Sequence, residues 1–190
     1  DSVVNGRFSF TAPVPMEISY SDEQGLLSFF AVDSSFLRSA QGRYENFTVG
    51  GTAQDVVNDG IGPDIKLYLN DPSFVDGDEV NSTPCLWVEL YDENGINTVG
   101  TGVGHDITAM IDNSPHHTYN LNSMFVPEVG DYKRGKIMLP LNRLEPGEHT
   151  LVLRAWDLYN NSSVAKLSFV VNPSLAPEFV QLRLNPSPVV

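Results

Sequence analysis

Two stretches of strict apolar alternation flank a short polar turn between Glu148 and Val171. The residues that share one face are Leu151, Leu153 and Ala155 in the first stretch and Leu167, Phe169 and Val171 in the second. The segment 157–163 between them is rich in Asn and Ser, whose side chains hydrogen-bond the backbone of turns. The pattern predicts a hairpin with one buried face, as in the closing strands of an immunoglobulin-like sandwich.

The same alternation recurs along the rest of the chain, with turn-forming residues between the repeats, and no segment of helical period competes with it. Strands are predicted at 8–11, 16–20, 26–32, 43–49, 65–69, 85–91, 99–111, 118–125, 136–141, 149–156 and 164–171. The predicted fold class is therefore all-β.

Three units are predicted along the chain. The turn formers of Asn58–Pro63 stop any strand. The seven strands after them suit an immunoglobulin- or fibronectin-like sandwich over residues 58–172. Residues 1–57 form a β-rich segment, the end of a preceding domain or an extension of the sandwich. Residues 173–190 are expected to be a proline-containing linker and the start of a further β domain.

Composition narrows the class of partner. Because the formal net charge is -13, a nucleic acid or an anionic membrane would be repelled by most of the surface. No apolar run is long enough to span a bilayer. No signal peptide is visible, and the chain begins at Asp1 as an excised fragment would.

Aromatic side chains lead to two packing predictions. Trp156 should be a packing anchor against the sandwich or the preceding segment. The five phenylalanines in residues 8–36 are more than a few short strands can hide, so they should leave apolar surface without a partner. They are Phe8, Phe10, Phe29, Phe30 and Phe36.

Three long motifs in the middle of the chain resemble a specific protein family. They are GPDIKLYLND at 62–71, DENGINT at 92–98 and GVGHDI at 102–107, and the shorter stretches VPMEISY at 14–20 and VGG at 49–51 fit the same pattern. Together they resemble the region that follows the peptidase domain in the PorU-type sortases of the type IX secretion system. The resemblance covers most of residues 8–172.

The resemblance implies that the parent protein is a gingipain-like cysteine peptidase of the C25 type on the Bacteroidetes cell surface or outer membrane. Such a sortase removes the C-terminal sorting domain of secreted cargo and joins the cargo to an anionic lipopolysaccharide. Its catalytic Cys and His lie in an upstream peptidase domain, so no catalytic residue is carried over and this fragment is expected not to be an enzyme. The implied partners are that domain, a following C-terminal domain of the same chain, outer-membrane secretion components and the cargo.

The residues themselves offer no convincing nucleophile. Cys85 is the single cysteine, and at the start of a predicted strand it is best interpreted as a small buried hydrophobe. The four histidines are His105, His116, His117 and His149, and none has a flanking motif that would orient it as a base. The glycine-rich segment 100–104 precedes a predicted strand and not a helix, so it does not suit a phosphate-binding loop. It favours a bulge, and His105 and Asp106 would hydrogen-bond to the backbone of that bulge.

Calcium is the one cofactor that the sequence leaves open. Two loops, 71–79 and 92–97, are rich in the oxygen ligands that calcium takes, and the candidate ligands are Asp71, Asp76, Asp78 and Asp92. Neither loop has the EF-hand spacing, and Asp, Asn and Gly are also the residues that tight turns use, so the turn interpretation is favoured and no cofactor is assigned.

The function favoured at this point is a non-catalytic accessory region of a cell-surface cysteine endopeptidase and transpeptidase. The alternative is an independent adhesin-like module in which surface aromatics, such as Tyr91 or Tyr159, contact glycan or protein.

Overall fold

The computed structural model describes residues 3–11, 13–14, 16, 23–51, 56–99 and 104–176 of the chain. Within these residues the protein has eleven strands and two single turns of 3₁₀-helix, at Pro115–His117 and Asn122–Met124. The strands are β1 (Leu27–Val32), β2 (Ser39–Tyr44), β3 (Asp64–Leu69), β4 (Glu79–Val80), β5 (Cys85–Tyr91), β6 (Thr108–Ile111), β7 (Thr118–Asn120), β8 (Val126–Glu128), β9 (Asp131–Pro140), β10 (Gly147–Trp156) and β11 (Ser162–Val171). The predicted all-β class is confirmed. No helix among the described residues is long and apolar enough to cross a membrane.

The strands form three sheets. One has the order β4-β11-β10-β6-β7 and another the order β3-β5-β9-β8, while β1 and β2 make a separate two-stranded sheet. Neighbouring strands are antiparallel except β4 and β11, which are parallel. The five-stranded and four-stranded sheets give the sandwich-like architecture that the alternation predicted.

The core lies between these two sheets, because their inward-facing side chains belong to a single hydrophobic cluster. Its members on the four longest strands are Leu86, Val88 and Leu90 of β5, Ile137 and Leu139 of β9, Leu151, Leu153 and Ala155 of β10, and Leu167, Phe169 and Val171 of β11. The face predicted for β10 and β11 is therefore the buried one. Burial of each large apolar side chain contributes about 1.5 to 3 kcal/mol to the free energy of unfolding.

A buried carboxylate holds the turn between β10 and β11. The two strands pair from Gly147 with Val171 to Trp156 with Ser162. Asp157 follows β10, is fully buried, and accepts hydrogen bonds from the backbone N–H of Asn161 at 2.7 Å and of Tyr159 at 2.9 Å. The turn is thus closed by a polar side chain that binds nearby backbone, as its composition predicted.

Some predicted strand boundaries were wrong. The strand expected at 43–49 is β2, which ends at Tyr44, and the one expected at 99–111 is reduced within the described residues to β6. The strand expected at 118–125 is β7 followed by the 3₁₀ turn at Asn122–Met124. The strands β4 and β8 were not predicted, because two or three residues are too short to show alternation. Their positions are set by the pairing of β4 with β11 and of β8 with β9.

The segment before the sandwich is only partly strand. Residues 8–11 are not a strand, and the rings of Phe8 and Phe10 instead lie against Phe29 of β1, with centroids 5.3 and 5.7 Å away. Residues 17–20 of the strand expected at 16–20 lie outside the described residues, as do residues 177–190 of the expected linker and further β domain. The domain boundaries at 57 and 172 stay predictions.

Trp156 lies on the outer face of its sheet and is half-buried. Its ring packs against the ring of His105, with 4.1 Å between the centroids. It is therefore a packing residue, but of the sandwich exterior and not of the core.

Leu153 and its neighbour Arg154 test which face of β10 holds the core. Leu153→Ala should lower the free energy of unfolding by about 2 to 5 kcal/mol, because it opens a cavity between the sheets. Arg154→Ala, on the exposed face, should change it by less than about 0.5 kcal/mol. Chemical denaturation of the two variants measures this, and equal losses would contradict the assigned faces.

Candidate functional site

Cys85 opens β5 on the outer face of its sheet. Leu86 and Val88 point inward, so alternation places the Cys85 side chain on the opposite side. Its Sγ lies 3.9 Å from the carbonyl oxygen of Leu86. Burial raises the pKa of the Cys85 thiol, only partly offset by the nearby Trp87 side chain, and a nucleophilic cysteine needs the opposite shift.

None of the four histidines lies on a strand of the sheet that holds Cys85. His149 belongs to β10 in the other sheet, His116 and His117 to the 3₁₀ turn before β7, and His105 packs on Trp156. No hydrogen bond joins Cys85 to any of the four, so the described residues contain no cysteine–histidine pair of the kind that a cysteine peptidase uses.

The three calcium candidates in the loop 71–79 bind backbone amides. Asp71 accepts a hydrogen bond from Ser73 N–H at 2.7 Å, and Asp78 accepts one from Val75 N–H at 2.8 Å. Asp76 reaches β11 and accepts from the N–H of Ser168 at 2.6 Å. These carboxylates close turns and fix the loop 71–79 to the edge of the five-stranded sheet.

Asp92 lies at the other end of the sandwich from these three. It follows the last residue of β5, whereas Asn70, next to Asp71, bonds to Cys85 at the first residue of that strand. Seven residues of strand span about 23 Å, so the four carboxylates do not converge. Within the described ranges, no group of three or more His, Cys, Asp or Glu side chains is arranged to hold a metal ion. The sequence-based interpretation, turn residues with no cofactor assigned, stays a prediction.

Asp92 belongs instead to a network of polar side chains that joins three turns, the three-turn network of Asn58–Asp59, Asp92–Asn94 and Asp157–Asn161. The Asn94 amide donates to Asp59 Oδ1 at 3.2 Å. The Asn161 amide donates to Asn58 Oδ1 and to Asp157 Oδ2, both at 2.7 Å. The network ties the entry to the sandwich to turns that follow β5 and β10.

The three-turn network contains a carboxylate with a strongly perturbed pKa. Asp92 is only 5% exposed. This burial, together with the negative charges of Asp157 and Asp59, raises the pKa of Asp92 to about 6, against the lowering effect of hydrogen bonds from the N–H groups of Asn94 and Gly95. Such a group is a candidate functional residue, although structural networks also produce such shifts.

Asp106 contacts the backbone indirectly. It accepts a hydrogen bond from the amide of Asn122 at 2.6 Å, and Asn122 Oδ1 accepts one from Ile107 N–H at 2.8 Å. Asp106 thus positions Asn122, which links the 3₁₀ turn at Asn122–Met124 to the segment before β6. Residues 100–103 of the glycine-rich segment lie outside the described residues.

His149 forms an ionic contact that the sequence did not reveal. Its Nδ1 lies 2.6 Å from Asp112 Oδ2, and its Nε2 lies 2.7 Å from the carbonyl oxygen of Glu145. Since both partners are acceptors, both ring nitrogens must carry a proton to bond them. Burial acts to lower the pKa of His149, but the hydrogen bonds to Glu145 and Asp112 outweigh it and raise that pKa. The sequence feature that could have indicated this turn is Asp112–Asn113. Asp and Asn tolerate the left-handed conformation, and φ is 53° at both residues.

Solved structures with similarity to this chain include one that matches 86% of it. It is the crystal structure of dimeric latent PorU from Porphyromonas gingivalis, with 38% sequence identity, a TM-score of 0.62, and coverage of 86% of this chain. The chain is homologous to a region of PorU. The resemblance predicted from the motifs at 62–71, 92–98 and 102–107 is thereby confirmed.

The match spans 15% of the PorU chain. The two chains are thus alike over one region of PorU, which leaves the rest of PorU without a counterpart in these residues. Cys85 and the histidines of this region form no catalytic pair in the structure described above.

Two further structures have weaker similarity. An endo-β-1,4-mannanase from Thermotoga petrophila has 13% identity and a TM-score of 0.38 over 58% of this chain and 20% of its own. CopC from Methylosinus trichosporium OB3b has 16% identity and a TM-score of 0.35 over 60% of this chain and 100% of its own. Scores this low bear on neither fold nor function. No protein-family model and no curated protein matches the chain.

The His149–Asp112 contact predicts a pH dependence of stability. Because the pKa of His149 is raised on folding, its contribution is fully present below the unfolded pKa near 6.5 and is lost as the pH rises through the folded pKa. The free energy of unfolding of the wild type should exceed that of His149→Phe by about 1 to 2 kcal/mol near pH 6. The difference should be smaller at pH 8. Denaturant titrations of both proteins between these pH values measure it. A constant difference would show that the imidazole is not charged in the fold.

Asp92 should destabilise the fold when it is ionised. Its folded pKa of about 6 lies above the unfolded value of 3.8, so the contribution of Asp92 to stability is greatest below pH 3.8 and is lost as the pH rises through 6. Asp92→Asn should therefore stabilise the fold by about 1 to 2 kcal/mol at pH 7, with little gain at pH 4. Asp71→Asn is the control, since the pKa of Asp71 is lowered by its bonds to Ser73 and its replacement should not stabilise. Stabilisation by both variants would point to general charge relief.

Proposed function

We propose that this chain is a non-catalytic accessory region of a gingipain-like cysteine endopeptidase and transpeptidase, the cell-surface sortase that removes C-terminal sorting signals from the cargo of type IX secretion. The observation that carries the proposal is the 38% identity to PorU over 86% of the chain. Its parent would be exported to the cell surface and associated with the outer membrane.

The chemistry of the described residues supports a non-catalytic role. The thiol of Cys85 has a raised pKa, and no hydrogen bond joins it to a histidine among the described residues. The histidine with the most defined partners, His149, is held by Asp112 and Glu145 in the opposite sheet. Catalysis in the parent would therefore belong to a peptidase domain upstream.

A rigid sandwich suits the task of holding neighbouring parts of a large surface protein. The proposed partners are the upstream peptidase domain, the following C-terminal domain, secretion components of the outer membrane and the cargo. The net charge of -13 argues against a nucleic acid among them.

An independent adhesin-like binding module is the alternative. The observation that favours it is a row of Tyr68, Trp87 and Met138, which are register partners on the outer face of β3, β5 and β9. Tyr91 suits a ligand less well, since its hydroxyl donates to Glu93 and Arg134 lies 4.8 Å over its ring. Tyr159 is half-buried in the β10–β11 turn.

The accessory role predicts that sandwich and catalysis are separable in the parent protein. Leu153→Asp in the parent should leave hydrolysis of a short peptide unchanged, because it disrupts this region alone, while processing of full-length cargo falls. Arg154→Ala, on the exposed face of the same strand, is the control and should affect neither. Normal cargo processing by a parent whose sandwich is shown to be unfolded would overturn the proposal.

The chain by itself should hydrolyse no peptide. Cys85→Ser and thiol alkylation should both leave any background activity of a purified preparation unchanged, because Cys85 lacks a base. Hydrolysis of Arg- or Lys-containing peptides that disappears in Cys85→Ser would show that the region is catalytic after all.

A further inference from the structure

The β1–β2 hairpin has an exposed apolar tip held in a fixed shape. At this tip Phe36 is 69% exposed and Leu37 is 85% exposed. On the adjoining face of β1, Phe30 is 74% exposed and Val32 is 46% exposed. These four side chains, Phe30, Val32, Phe36 and Leu37, are called the hairpin tip below.

Asp33 braces the hairpin tip. Its carboxylate accepts hydrogen bonds from Leu37 N–H at 3.0 Å, from Arg38 N–H at 3.3 Å and from the Ser35 hydroxyl at 2.9 Å. Its backbone N–H donates to Arg38 O, and its carbonyl oxygen accepts from Phe36 N–H, both at 3.0 Å. The loop therefore has a defined shape even though its apolar side chains contact little within the described residues.

Phe36 is held in a costly backbone conformation. Its φ is 59°, in the left-handed region that a bulky residue rarely adopts. Within the described part of the chain, burial of the Phe36 ring does not offset this strain, because the ring is largely exposed. Strain of this kind at an exposed position is typical of residues that are ordered in advance for a contact.

The hairpin is also incomplete as a sheet. It has only two strands, so both edges are unpaired among the described residues. Its inner apolar face is covered by Phe8 and Phe10, which are themselves 49% and 45% exposed. A two-stranded sheet is marginal in water, and its stability requires further packing.

Charge and position indicate what covers the hairpin tip. Residues 26–44 contain one acidic and two basic side chains, in a chain whose net charge is -13, so the hairpin suits an apolar contact with little charge. The hairpin precedes the sandwich along the chain, and the homologous region is 15% of PorU, so a parent of similar length would have further polypeptide that could dock there.

We infer that the hairpin tip is the anchor by which a preceding domain of the same polypeptide docks onto this region, with Phe36 and Leu37 seated in an apolar pocket of that domain. This inference rests on the proposed function, because it requires a larger parent protein. A few side chains seated in well-packed pockets carry most of the binding energy of an interface.

Amide exchange of residues 27–44 in the full parent protein and in this chain tests the inference. In the parent, these amides should exchange at least about tenfold more slowly than in this chain, because the tip is buried there. Leu37→Ser in the parent should abolish this protection. Val129→Ser, at a position 82% exposed in the turn between β8 and β9, should leave it intact.

A second variant separates docking from folding of the loop. Phe36→Asn keeps a residue that tolerates positive φ, so it should leave exchange in this chain unchanged and still remove protection in the parent. Equal exchange rates in parent and chain would overturn the inference. So would protection that appears only with rising concentration of this chain, which indicates a second copy, or only with lipid vesicles.

The outcomes for the two proposals are distinguishable. A parent with peptidase activity and an unprotected hairpin would overturn the docking inference alone. A parent that protects the hairpin with a preceding domain but contains no peptidase domain would overturn the proposed function and leave the docking surface in place.

Discussion

The apolar contact between the two sheets is the interaction on which the rest of this structure depends. Leu151 and Leu153 of β10 face the same cluster as Leu86 and Val88 of β5, and all four are fully shielded from solvent. Because β5 and β10 belong to different sheets, their packing also brings together the turns that follow them. The three-turn network exists for this reason, since Asp92 and Asp157 are far apart in sequence and meet only when the sheets pack.

The aspartate side chains of the described residues bind mainly to backbone N–H groups. Asp33, Asp71 and Asp157 each accept hydrogen bonds from N–H groups of the turn in which they lie. Asp112 instead crosses to the next strand and holds Thr150 and His149. The acidic loops that resemble cation-binding sites are therefore largely explained as turns. Turns need hydrogen-bond acceptors for the backbone N–H groups left unpaired where strands end. Asp92 also accepts a hydrogen bond from Asn94 N–H, but its burial and the neighbouring carboxylates oppose its ionisation.

The two parts of the chain differ in how complete they are. The sandwich buries its own inward faces, and its exposed turns are closed by polar side chains. The β1–β2 hairpin has a defined loop but leaves four large apolar side chains exposed. Homology to a region of the much longer PorU chain gives this difference a physical meaning, because a segment between domains can be ordered locally and yet be completed only by its neighbours.

The sequence by itself determined the all-β class, the buried face of β10 and β11, and the relationship to PorU, because alternation and long motifs are local properties that survive without coordinates. It also predicted exposed phenylalanines, and Phe8, Phe10, Phe30 and Phe36 are exposed in the structure. Only the tertiary structure decided the pairing of β4 with β11, the bonds of His149 to Asp112 and Glu145, and the convergence of Asp92 with Asp157. Each of these joins residues distant in sequence through the packing and pairing of strands, and no local pattern encodes which distant side chain arrives beside another.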